Sequence, residues 1–253
     1  IKSSAASDVY KRQFLNSYAE ENKAITIPQL SFSSPTSGYR LEIPETILGD
    51  RNGGETDRSG KSFTISAWIN MDQYTNNSGS KGNVIMGHGP RVHMNYNGSL
   101  VLATTETGVL KIISGASNKV TSVLETSVDL DTWTYLTLVY DNSDFSVSVY
   151  KDGTLVATKN NTQQLELFGD DPCIFFVGGA GFSGFCDEFQ FFDRALNSND
   201  VKQAYSNPQN ISGLTVWYDF NTIEEGSSFT NKVTESDPVS YTHLRAHETL
   251  SDL

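Results

Sequence analysis

Asp187, Glu188 and Asp193 are the one group of carboxylates in this chain that falls on a strand-like stretch, Asp187-Glu188-Phe189-Gln190-Phe191-Phe192-Asp193. Paired carboxylates are the chemistry of glycoside hydrolysis, where an acid and a base or nucleophile converge from one face at roughly 5–10 Å. This spacing does not give such a pair. Side chains alternate along a strand, so Phe189 and Phe191 are expected on one face with Asp187, and Glu188, Gln190 and Phe192 on the other. Asp187 and Glu188 are neighbours and should point apart. Asp187 and Asp193 share a face but lie about 20 Å from each other at strand rise. The sequence holds no Glu-x-Asp-x-Glu spacing, no Gly-x-Ser-x-Gly and no phosphate loop, and its four histidines are scattered, His243 and His247 falling in the suspect C-terminal tail. An enzyme is not expected.

Two binding chemistries remain. Asp50, Asn52, Glu55 and Asp57 place four oxygen-bearing side chains on the polar loop 49–60, with Gly53-Gly54 allowing a tight wrap. Such a donor set suits Ca²⁺, although glycines and acids are out of register for an EF-hand; a solvated polar loop is the alternative. A pyranose has an apolar face and a hydroxyl rim, so a sugar site needs aromatic faces beside hydrogen-bonding groups. Tyr74, His88, Arg91, His93 and Asn95 are the candidates, His93 and Asn95 sharing a strand face opposite Val92, Met94 and Tyr96. Trp68, Trp133 and Trp217 sit within strands and read as packing. Cys173 and Cys186 flank the Gly178-Gly179-Ala180-Gly181 turn almost symmetrically. A tight hairpin would set them opposite one another for a disulfide; two buried thiols are the alternative.

The elements that must carry these groups are strands. Phe and Tyr number 14 and 11 in 253 residues, Thr and Val recur in short runs, and long helical periodicity is absent. That pattern favours an all-β chain, and the length suits one large sandwich. Residues 30–44 read as two short strands around a Pro-Thr-Ser-Gly turn. Residues 62–70 put Phe63, Ile65, Ala67 and Ile69 on one face and Trp68 on the other. Strands are also expected over 83–86, 91–96, 99–104, 131–141, 145–150, 154–158, 174–177 and 213–221. Asn97-Gly98 and Asp152-Gly153 mark hairpins. Asn197 reads as an N-cap with Asp200 at N3, and Leu196 and Val201 stand at staple spacing, giving one short helix near 197–205.

The net charge of −12 argues against nucleic acid, which requires a basic stripe. No apolar run reaches 18 residues, so no membrane insertion is expected. Residues 3–13 and 239–249 resemble translated adapter read-through, so 1–13 and 238–253 are expected to be non-native tails. No signal peptide is visible and the chain begins with Ile1; a fragment of a longer, exported protein is expected. Asn76, Asn97, Asn160 and Asn210 stand in glycosylation tripeptides, which matter only if the source glycosylates exported chains.

Several stretches resemble one family in its own order. Residues 182–188, Phe-Ser-Gly-Phe-Cys-Asp-Glu, lead to Arg194-Ala195-Leu196 and an acidic helix start, as in the C-terminal signature of laminin-G-like domains of the concanavalin A-like lectin superfamily. Phe63-Thr64-Ile65-Ser66-Ala67-Trp68-Ile69 and the run from Trp133 to Tyr140-Asp141 match two further family strands, and Tyr39 to Pro44 matches a third loosely. Residues 213–220 are similar to the strand that usually opens such a domain. The resemblance implies a two-sheet antiparallel jelly-roll sandwich spanning 14–237, with its core at 30–205. Residues 211–221 either begin a second, truncated copy or return to the same sandwich as an added strand; the second is preferred, because a lone strand exposing Trp217 and Phe220 would invite aggregation. Pentraxin relatives carry an acidic run where this chain has Gly178 to Gly181, so their paired calcium site is not carried over. The implied role is non-catalytic recognition of a glycan or glycosylated partner at an extracellular or cell-surface location. A structural or adhesive module, and an accessory domain of a hydrolase, are the alternatives.

Overall fold

The computed structural model describes residues 30–32, 40–44, 47, 61–75, 82–90, 100–114, 120–160, 173–179, 181–220 and 231–233. Their strands, numbered in chain order, form two antiparallel sheets. In the seven-stranded sheet, β1 (Leu30–Phe32) and β13 (Leu214–Tyr218) lie end to end along one edge of β12 (Gly184–Phe192). Beyond β12 follow β3 (Phe63–Met71), β8 (Thr134–Asp141), β9 (Ser146–Lys151) and β10 (Thr154–Asn160). The six-stranded sheet runs β2 (Arg40–Pro44), β11 (Cys173–Gly178), β4 (Asn83–Pro90), β5 (Leu100–Thr104), β6 (Val109–Ser114) and β7 (Val120–Ser127). This is a jelly-roll sandwich, with one helix among the described residues, α1 (Ser198–Ser206).

Alternation along the strands builds the core. Phe63, Ile65, Ala67 and Ile69 of β3 face inward with Phe189 and Phe191 of β12, and Phe175 and Val177 of β11 come from the other layer. Phe175 meets Phe63 edge-on at 4.9 Å and Phe191 at 4.5 Å between ring centroids, so rings from the two sheets interlock. Each fully buried ring of this kind contributes about 1.5–3 kcal/mol. At the far edge, Lys151 Nζ donates to Ser127 O at 2.8 Å and ties the two layers together.

The corner after β12 explains why Arg194-Ala195-Leu196 reads as a signature. Thr64 Oγ1 donates to Arg194 O at 2.8 Å and accepts from Leu196 N at 3.1 Å, pinning the corner to β3. Arg194 Nε reaches Ser212 O at 2.7 Å and its Nη1 pairs with Asp200 at 2.8 Å, joining corner, helix and the turn before β13. Asn197 Oδ1 caps α1 by accepting from the amides of Asn199 and Asp200 at 2.9 and 3.0 Å. Leu196, Val201 and Ala204 then bury against Phe192 and Val139 on the outer face of the seven-stranded sheet. Gly184, the glycine of the same signature, has φ 137°, and a Cβ there would collide with the backbone carbonyl of Asn70. Among the described residues no helix is long and apolar enough to cross a membrane.

Candidate functional site

The loops at one end of the sandwich are fastened by a buried amide. Asn83 Oδ1 accepts from Thr75 N at 2.8 Å and Thr75 Oγ1 at 2.6 Å, while its Nδ2 donates to Thr104 Oγ1 at 2.9 Å and Thr105 O at 3.1 Å. Thr75 Oγ1 also reaches Gly181 O at 3.2 Å. Asn83 and Thr75 together thus join the β3–β4 loop, the end of β5 and the glycine turn before β12. Tyr74 stands beside it, half-buried, with its hydroxyl donating to Val128 O. Burial, and secondarily the Asp129 charge, raise its pKa.

Of the sugar candidates, Tyr74 is therefore a loop anchor with its hydroxyl engaged. His88 requires correction. It is fully buried between the sheets, 4.8 Å from the ring of Phe175 and 6.0 Å from that of Phe63, and shares no surface with Tyr74. An irregularity in β4 between Val84 and Met86 sets Ile85 and Met86 both in the core and fixes the face that His88 takes. Arg91, His93 and Asn95 lie outside the described residues, as do Asp50, Asn52, Glu55 and Asp57 of the acidic loop. Among the described residues no group of three or more His, Cys, Asp or Glu could hold a metal ion.

The hairpin expected for the cysteines is also corrected. β11 and β12 belong to different sheets, so the glycine turn carries the chain across the sandwich. Cys173 opens β11, five residues before its end at Gly178 and so about 17 Å along one layer. Cys186 is two residues into β12 on the other layer and buried in the core. The two are not opposed across a hairpin.

The carboxylate strand departs most from simple alternation. Asp187 pairs with Trp68 and Gln190 with Ser66, so Glu188 and Phe189 together face Ala67 alone. This is a β-bulge, and Glu188 takes φ 49° to make it. Cys186, Phe189 and Phe191 all face the core, so Asp187 shares the outer face with Glu188 instead of the inner one. Asp187 Oδ1 accepts from Glu188 N at 2.7 Å. Glu188 Oε2 accepts from Trp217 Nε1 at 2.5 Å, and Gln190 Oε1 accepts from Tyr135 OH at 2.9 Å. Ser66 Oγ donates to Thr137 Oγ1 at 3.1 Å in the same seam. Trp68, Trp133 and Tyr135 pack there with Tyr205 of the helix. Burial, and to a lesser degree the Glu188 charge, push the Tyr135 phenol far above the usual tyrosine range.

A profile of the Laminin_G_3 family, described as the concanavalin A-like lectin/glucanases superfamily, matches residues 51–202, more than half of the chain. The chain belongs to this family. No match was found among curated protein sequences. Solved structures share the fold of this laminin-G-type domain at low identity. A putative carbohydrate binding protein from Bacteroides ovatus aligns with TM-score 0.55 and 18% identity, over 83% of this chain and 56% of that one. The chain therefore spans little more than half the length of that protein. The CBM40 of a Ruminococcus gnavus IT-sialidase, bound to α2,3 sialyllactose, aligns with TM-score 0.51 and 14% identity, over 70% of this chain and 95% of that one. A Trypanosoma rangeli sialidase aligns with TM-score 0.51 and 19% identity, over 75% of this chain but 29% of the enzyme.

Within this laminin-G-type frame the bulge brings Asp187 and Glu188 to one face, and the reason for setting them aside changes. Asp187 has no exposed surface and Glu188 is 6% exposed. Glu188 is held by an indole and Asp187 by a main-chain amide. A glycosidase pair needs room for substrate and water between its carboxyl groups, and these two lie in a closed seam. The Asn83 clip and the seam of Ser66, Thr137, Tyr135 and Gln190 were not singled out from sequence. Their only signal is polar residues at strand positions beside buried apolar ones.

Proposed function

We propose that this domain recognises glycans without turning them over, as a module of a larger exported protein. The observation that carries the reading is the alignment over 95% of a glycan-binding module whose whole domain this sandwich resembles. The closed carboxylate seam supports binding over catalysis. With Tyr74 engaged and His88 in the core, the ligand-facing groups of this reading are Arg91, His93 and Asn95. A guanidinium, an imidazole and an amide supply the donors and acceptors that a hydroxyl rim needs. The net charge of −12 sets a field that repels polyanions, so sulfated polymers are disfavoured. Ca²⁺ on Asp50, Asn52, Glu55 and Asp57 belongs to the same proposal.

A second reading, an accessory domain beside a hydrolase, draws on the sialidase alignment, in which a sandwich of this kind makes up 29% of an enzyme. A glycan array probed with the purified chain, with Ca²⁺ and with chelator, tests the first reading. Retention of a defined set of glycans is expected, weakened by chelator if the acidic loop binds calcium. Silence across the array in both conditions would overturn glycan recognition in favour of a structural or adhesive role.

A further inference from the structure

β13 is the outermost strand on its side of the seven-stranded sheet, and among the described residues β12 is its only strand partner. An exposed edge of this kind presents free amides and carbonyls that invite another strand. Here the edge is filled by something other than a strand. Asn231 Oδ1 accepts from Trp217 N at 2.9 Å, and Asn231 Nδ2 donates to Thr215 O at 2.9 Å. Lys232 N donates to Trp217 O at 2.9 Å. Lys232 Nζ pairs with Asp219 at 3.2 Å and Val233 N returns to Asn231 Oδ1 at 3.2 Å, which holds the short segment in place.

The geometry fits the amide and no other side chain of its length. Trp217 stands opposite Gln190, and its N–H and C=O both point away from β12, as does the C=O of Thr215. A neighbouring strand would meet these groups with one amide and one carbonyl in turn. A carboxamide carries one donor and one acceptor at nearly the spacing of a peptide group, so Asn231 substitutes for one residue of a missing strand. Asp lacks the donor, and an apolar residue lacks both. On its other side Trp217 is fixed by its indole to Glu188, so every polar group of this residue is engaged.

We propose that residues 231–233 are an edge clasp that keeps β13 from pairing with the β13 of a second copy of this chain. Opening the clasp exposes two carbonyls and an amide on a strand of five residues, Leu-Thr-Val-Trp-Tyr, rich in β-formers. The partner is a second copy because two identical edges related by a twofold axis form the antiparallel pair that such a strand favours.

The test uses the full chain and the variant Asn231→Ala, followed by light scattering over a concentration series. A mass that doubles with rising concentration is expected, together with a Tm lower by roughly 4–8 °C for the two hydrogen bonds lost to β13. In that background Thr215→Pro removes another outward N–H and should return the mass to that of one chain. A variant that stays monomeric throughout, or a dimer that survives Thr215→Pro, overturns the proposal. Amide hydrogen exchange on the unaltered chain serves if the variant does not fold. The Trp217 amide should be protected to the level of the β13 amides that face β12, and exchange at the rate of an open edge overturns the clasp.

Discussion

Trp217→Phe tests the most heavily engaged contact of the outer face. The indole donates to Glu188 at 2.5 Å, with Trp217 9% and Glu188 6% exposed. Phenylalanine keeps a ring on the same face and removes only the donor and part of the surface. Losing a donor to a buried carboxylate costs roughly 1–3 kcal/mol, with the upper end expected for a charged acceptor. The smaller ring gives up a further contribution on the order of 1 kcal/mol. For a domain of this size each kcal/mol lowers Tm by about 2–4 °C, so a fall of roughly 8–16 °C is expected. Glu188→Gln retains an acceptor and should lose about 1 kcal/mol. Thermal and urea unfolding followed by circular dichroism gives all three variants, and the double variant should cost less than the sum by about 1–2 kcal/mol. Additive losses within about 0.5 kcal/mol would mean the two side chains are not coupled, and the account of the bulge would fail.

Asn83→Leu removes four hydrogen bonds from a fully buried position and should destabilise by roughly 2–4 kcal/mol, with residues 72–75 showing the first rise in amide exchange. Gly184→Ala should be worse than Asn83→Leu in the same unfolding assay, because the obstacle is the backbone of β3 and cannot move aside. Tyr135 keeps its proton in the folded state above about pH 10, where the unfolded chain loses it. The native state then binds more protons, so stability falls as pH rises, by up to about 1.4 kcal/mol per pH unit from this residue alone. Urea midpoints across the alkaline range should show that slope, and Tyr135→Phe should flatten it.

Strands with clean alternation were legible in the sequence, and the corner was too. In β3 the inward Phe63, Ile65, Ala67 and Ile69 and the outward Trp68 lie as the period-2 pattern requires. The Asn197 cap and the Leu196–Val201 staple follow from residue types alone. Legibility ends where both faces of a sheet are covered. In β6, Leu110 and Ile112 face the core while Ile113 joins a second apolar cluster on the outer face, so no alternation marks the strand. Bulges were the other blind spot. One extra residue at Glu188 moved Asp187 to the outer face, and another near Ile85 reset the inward side chains of β4. A bulge leaves no fixed composition, because its cost is carried by tertiary packing. The cysteines misled for a related reason: a glycine turn can close a hairpin or change sheets, and only the partners of β11 and β12 decide which.

Recognition without turnover is tested most directly by incubating the purified chain with the glycans it retains and weighing them by mass spectrometry afterwards. The account predicts that every retained glycan is recovered at its original mass, with binding undiminished in Glu188→Gln. Shortened products that disappear with Asp187→Asn or Glu188→Gln would contradict it, since those carboxylates would then have to meet substrate and water.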